Sequence, residues 1–183
     1  TLFRSQKKIC RTFQNIRLFS SLSVIDNVKI SFNFRIKYNL LDSILRTPKF
    51  KKEEAEIEKK SLELLKAFNL AEKKDEFAKN LSYGEQRRLE IVRALAAKPS
   101  LILLDEPAAG MNPQETAELM ELINWIKNKF HISVLLIEHD MKLVMGICDK
   151  VVVLDYGKKI AEGTPSEIKN NPKVIEAYLG EGA

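Results

Sequence analysis

Two acids side by side, Asp105 and Glu106, follow a four-residue apolar run, Leu101 to Leu104. Such a run is too short for a buried helix and reads as a central strand covered on both faces. Acids just past it stand at the strand's carboxyl end, where open α/β sheets place their ligands. Upstream, Ser82, Tyr83, Gly84 and Glu85 open a predicted helix. Serine and glycine there present free backbone N–H groups and the positive dipole end, which suits a phosphate. An anion cradle followed by a strand-end acid pair suggests magnesium-nucleotide chemistry.

Hydrolysing a phosphoanhydride requires charge neutralisation, an in-line water and something to hold that water. Asp105 suits a magnesium ligand, because hard divalent cations take carboxylate oxygens. Glu106 is next along the backbone and points elsewhere, so it suits orienting or deprotonating the water. His139 ends a second predicted strand and suits a hydrogen bond to the γ-phosphate. Plainer readings exist: two acids that cap the next helix, a His139-Asp140 pair that starts one, and a surface loop for Gln14. His131 lacks any motif and reads as a surface residue.

Five stretches in fixed order decide between them. RTFQN carries a glutamine, Gln14; LSYGEQRR, LILLDEP, AGMN and LLIEHDM follow it along the chain. In this order they resemble the Q-loop, signature, Walker B strand, D-loop and H-loop of the ABC ATPases. The wording RTFQNIRLF, DEPAAGMNP, IEHDMKLVMGICD and NPKVIEAYLG is similar to the ATP-binding subunits of branched-chain amino-acid importers. The resemblance implies an α/β fold of the P-loop NTPase type. Its mostly parallel sheet would carry helices on both faces, beside a helical subdomain. Residues 1–183 would form one partial domain, with 15–80 as the helical region and 81–183 running from signature to C-terminal region. It further implies ATP and Mg2+ as cofactors. Glu106 and His139 would be catalytic, Gln14, Ser82, Gly84 and Glu85 would meet the nucleotide, and Asp105 with Gln14 the metal. The implied partners are a second ABC ATPase subunit and membrane-spanning permease subunits. The implied place is cytoplasmic, peripheral on the inner face of the cell membrane.

One part departs from the family. A P-loop reads G-x-x-x-x-G-K-[ST], so that backbone N–H groups wrap the β-phosphate and a lysine reaches the γ-phosphate. Of the seven glycines the first is Gly84, and the one Gly-Lys pair, Gly157-Lys158, lacks the preceding glycine. Walker A is absent from these residues, and the N-terminal β part of the domain is expected to be truncated. Because ABC dimers place each ATP between one subunit's Walker A side and the other's signature, two readings stay open. One is a fragment of an ATP-hydrolysing importer subunit, inactive alone. The other is a non-catalytic half-site module that supplies Ser82 and Gly84 to an intact partner. The ABC-type ATPases of DNA maintenance are disfavoured, since no sustained heptad run is present.

The elements that must position these residues are legible from pattern. A strand over Ile9 to Phe13 precedes Gln14, and Ser23 caps a helix from Val24. Thr47-Pro48 breaks the chain. A helix spans Lys51 to Phe68, with Ile57, Leu64, Leu65 and Phe68 on one face and a Glu56–Lys60 pair outside. Pro99 ends the signature helix. Asn112 caps the next one, Pro113 sits in its first turn, and Leu119, Leu122, Ile123, Ile126 and Phe130 form its stripe. Ser133 to Glu138 reads as a second buried strand and Val151 to Leu154 as a third, which Tyr156-Gly157 turns into Lys158 to Glu162. Short helices follow Thr164-Pro165 and Pro172, the last ending near Leu179 to Gly180. Strands alternating with helices predict a mostly parallel sheet.

Composition agrees with one domain: 183 residues, 45% hydrophobic and 30% charged give room for a real core. No 18 apolar residues run together and no apolar signal core opens the chain, so neither a membrane span nor export is predicted. Cys10 and Cys148 have no metal-ligand spacing and read as reduced thiols. The net charge is +5, but most lysines are interleaved with acids, which predicts a solvated face and no nucleic-acid partner.

Overall fold

The computed structural model describes residues 8–36 and 38–179; the expected helix end at Gly180 lies outside them. Strand β1 (Ile9–Arg11) is followed by an all-helical stretch: α1 (Val24–Lys29), α2 (Leu40–Ile44), α3 (Pro48–Ala67) and α4 (Tyr83–Ala96), joined in part by 3-10 turns. Then come β2 (Leu101–Asp105), α5 (Pro113–Phe130), β3 (Ser133–Ile137) and α6 (Met141–Ile147). The chain closes with β4 (Val151–Asp155), β5 (Lys158–Gly163), α7 (Pro165–Lys169) and α8 (Pro172–Leu179).

Helix starts follow their capping chemistry. Ser23 accepts from the Asp26 amide, and Asn112 and Glu115 form a reciprocal capping box ahead of Pro113. Thr47-Pro48, expected as a break, instead starts α3: Thr47 accepts from the Phe50 amide and Pro48 fills the first turn. A proline loses nothing there, since the first N–H groups of a helix have no intrahelical acceptor.

The order β1-β2-β3 is parallel throughout, with Cys10 beside Ile102 and Asp105 beside Ile137. Ile102 and Leu104 are buried against a continuous apolar core that also holds Leu65 of α3 and Phe68 just after it, Leu89 and Ile91 of α4, and Ile123 and Ile126 of α5. The opposite face differs from expectation. Leu135 and Ile137, read as a buried strand, are each 56% exposed, and Leu101 and Leu103 are half-buried. An apolar run predicts cover on both faces, but among the described residues one face alone is covered. The third expected strand forms and turns back at Tyr156-Gly157 as expected, but β4 and β5 make an antiparallel ladder separate from the parallel sheet. Tyr156 and Gly157, at φ 43° and 75°, make the tight turn whose twist matches a hairpin. Among the described residues no helix is long and apolar enough to cross a membrane.

In this hairpin Glu162 accepts from Lys150 at 2.5 Å and Lys159 at 2.8 Å, and these bonds hold its carboxyl at about 2 against an ordinary 4.5. A depressed folded value stabilises above the unfolded one and is lost as protons arrive. Urea midpoints measured from pH 4.5 down to 2 should therefore fall more steeply for the native chain than for Glu162→Gln; parallel curves would contradict the assignment.

Candidate functional site

β2 delivers Asp105 to the carboxyl edge of the sheet, and the ladder runs one step further: the Glu106 amide donates to Ile137 O at 2.9 Å. Glu106 then takes φ 43°, a left-handed conformation that costs a side-chain-bearing residue about 1–3 kcal/mol and clusters at functional sites. That twist separates the two carboxylates. Asp105 Oδ2 meets Arg11 at 2.6 Å, while Glu106 Oε2 accepts from Gln14 Nε2 at 2.8 Å. His139 follows β3, and its Nδ1 lies 3.9 Å from Glu106 Oε1. Gln14, Asp105, Glu106 and His139 thus meet at one edge, brought there by the ends of three parallel strands.

Ser82, Gly84 and Glu85 form a second group at the head of α4. Ser82 Oγ accepts from the Glu85 amide and Glu85 Oε2 from the Ser82 amide, while Glu85 Oε1 pairs with Lys73 at 2.7 Å. Burial pushes the Glu85 carboxyl up, but the Lys73 and Ser82 hydrogen bonds outweigh it and hold it below the usual range. Gly84 is buried because α5 comes close: a Cβ there would stand 2.9 Å from Glu115 Oε1. The positive end of α4 therefore already faces two carboxylates, which suits its dipole. His131 is the exposed left-handed residue that ends α5.

The two groups are joined by a residue that sequence reasoning misses. Arg87 is fully buried. Its guanidinium donates to Phe13 O at 2.5 Å, Gln14 O at 2.7 Å, Glu106 O at 3.3 Å and Tyr83 Oη at 3.4 Å, and pairs with Glu90 at 3.0 Å. Glu90 in turn accepts from the Arg17 amide, and Arg93 donates to Arg17 O. Three side chains on one stripe of α4 therefore grip residues 13–17. The available signal is the R-x-x-E-x-x-R spacing among Leu89, Ile91 and Val92, since charges on an apolar helix face need partners. Arg11, facing Asp105 from the end of β1, is missed as well.

A family model described as "ABC transporter" matches residues 2–109, more than half of the chain. This chain belongs to the ABC transporter ATPase family. A further model, "Branched-chain amino acid ATP-binding cassette transporter", matches residues 158–183 of this ABC chain. LivG of Salmonella typhimurium, a high-affinity branched-chain amino acid transport ATP-binding protein, is 47% identical over 173 residues, covering 94% of this chain and 68% of that protein. BraF of Pseudomonas aeruginosa, with the same description, is 44% identical over 177 residues, covering 97% and 69%. Among solved structures, the ADP conformation of the ATP-binding cassette MJ1267 matches with a TM-score of 0.76 at 30% identity, over 97% of this chain and 70% of that one. A nucleotide-free ATP-binding cassette matches with a TM-score of 0.75 at 31% identity, over 98% and 71%. The ABC fold and the ATP-hydrolysing class of the family follow.

Replacing Arg87 by alanine leaves the Glu90 carboxylate buried without its cation, which costs about 3–5 kcal/mol. Its neighbour Arg88, a quarter exposed and paired with Glu118, should cost under about 1 kcal/mol. Urea unfolding of both variants gives the comparison, and equal losses would remove Arg87 from its central place.

Proposed function

We propose that this chain is the ATP-hydrolysing part of a branched-chain amino-acid importer subunit, with Glu106 and His139 at the chemistry. The observation that carries this is the meeting of Gln14, Asp105, Glu106 and His139 at one sheet edge. The likeness to LivG and BraF supports the substrate class.

Asp105 and the Oε1 of Gln14 are the donors that would hold Mg2+. The fit is good: the ion takes one or two carboxylates and leaves its other positions to phosphate and water, and Asp105 already draws a cation, Arg11. Once bound, the ion neutralises phosphate charge. Glu106 holds and deprotonates the attacking water, with Gln14 Nε2 fixing the carboxylate's orientation. His139 donates a hydrogen bond to the transferred phosphate. Ser82, Gly84 and Glu85, grouped apart from these four, meet the nucleotide of a second ATPase subunit. The helical region, residues 15–80, supplies the surface toward membrane permease subunits, which holds the chain peripherally at the inner face of the membrane.

A second reading, the half-site module, is favoured by one observation. These 183 residues hold no G-x-x-x-x-G-K-[ST], yet the Ser82–Glu85 box at the head of α4 is fully formed. Both readings agree that the 183-residue chain alone neither binds ATP tightly nor turns it over. Calorimetric titration should show no heat at micromolar ATP; micromolar binding would sink that statement.

Mixing separates the two. The chain is combined with permeases and an intact LivG-type subunit in vesicles, and ATP hydrolysis is driven by leucine-loaded binding protein. Loss of this chain's contribution in Glu106→Gln supports the catalytic reading, whereas an unchanged contribution supports the module. Stimulation by methionine in place of leucine, isoleucine and valine would overturn the substrate class.

A further inference from the structure

At the amino end of β2 and β3, opposite the edge that carries Asp105 and Glu106, the helices leave a cavity of about 530 Å³. Its interior is apolar, built from Phe32, Leu64, Leu95, Pro99, Trp125 and Phe130. The Trp125 ring is held edge-on between Phe68 at 6.1 Å and Phe130 at 5.6 Å, yet its residue stays 38% exposed. Cavities of this volume, mostly apolar with a few polar groups, are the ordinary shape of a small-molecule site.

The rim is basic. Lys60, Lys98 and Lys129 line it against one acid, Glu63. Lys60 is held by Glu56, whereas among the described residues Lys98 and Lys129 have no ion-pair partner. Lys98 stands at φ 50° in the turn between α4 and β2. A second cavity of about 530 Å³ shares Phe32, Lys60 and Lys98. Its further lysines, Lys49 and Lys52, are offset by the acids Glu53 and Glu56 and by the Lys49–Asp42 pair, so the uncompensated charge at the first cavity is that of Lys98 and Lys129. An apolar hollow with excess positive charge at its mouth is complementary to a molecule with an apolar tail and one anionic head.

We propose that this cavity binds a medium-chain carboxylate, its tail against Trp125 and Phe130 and its carboxylate at Lys98 and Lys129. Charge fixes the head group, because a carboxylate gains charge-assisted hydrogen bonds from ammonium groups that an alcohol does not. The apolar lining favours an alkyl tail over a free amino acid, whose second charged group would be desolvated there without a partner. The site lies where α3, α4 and α5 converge, so its occupant touches the helical layer and α5 together.

Trp125 is the sole tryptophan, so its emission reports on the cavity directly. Decanoate titrated into the full chain, below its micelle concentration, should give a saturable shift of that emission. Decanol and leucine should bind at least about tenfold more weakly, as should decanoate with the Lys98→Ala/Lys129→Ala double variant. Both lysines are exposed, so the variant should keep the native far-UV circular dichroism. A shift that fails to saturate, equal affinity for decanol, or an unweakened double variant overturns the proposal.

Discussion

A guanidinium shut away from water must find its acceptors in the protein, and the loss of even one is expensive. The two terminal nitrogens of Arg87 find them in the backbone of Phe13, Gln14 and Glu106 and in the carboxylate of Glu90, while its Nε has none among the described residues. Those acceptors belong to three separate pieces of chain: the exit of β1, the exit of β2 and the face of α4. No two of them can shift relative to each other without stranding a buried charge. The glutamine that touches Glu106 and the helix that begins with Ser82 are thereby one mechanical unit.

The sheet edge adds a second constraint. Parallel pairing aligns the ends of β1, β2 and β3, so their exits must converge, and Glu106 carries a left-handed backbone at that convergence. Gly84 works in the same sense at the other group. Its missing side chain lets Glu115 of α5 approach the head of α4, which ties the turn after Glu106 to the signature helix.

Much of this was legible because it rests on local chemistry. Caps at Ser23 and Asn112 and the strand before Asp105 follow from residues close in sequence, whereas the grouping of the acids with His139 was implied by the order of the family motifs. What was not legible depends on distant neighbours. The Leu135 and Ile137 face reads as buried because an apolar run records what a strand could lie against, not what these residues supply. Thr47-Pro48 reads as a break because proline is a breaker everywhere except at a helix's first turn. Arg87 hides because an arginine in a helix looks like surface until the loop it grips is seen.

The register that joins Ile9 to Leu101 also says when the site can exist. Ladders that close long loops form slowly, and contacts local in sequence form first. A nascent polypeptide leaving the ribosome amino end first carries α1 to α4 before β2 has been synthesised. β1 must wait for its β2 partner through that interval, and β3 arrives later still. Gln14, Glu106 and His139 therefore cannot be neighbours until β3 has joined the sheet.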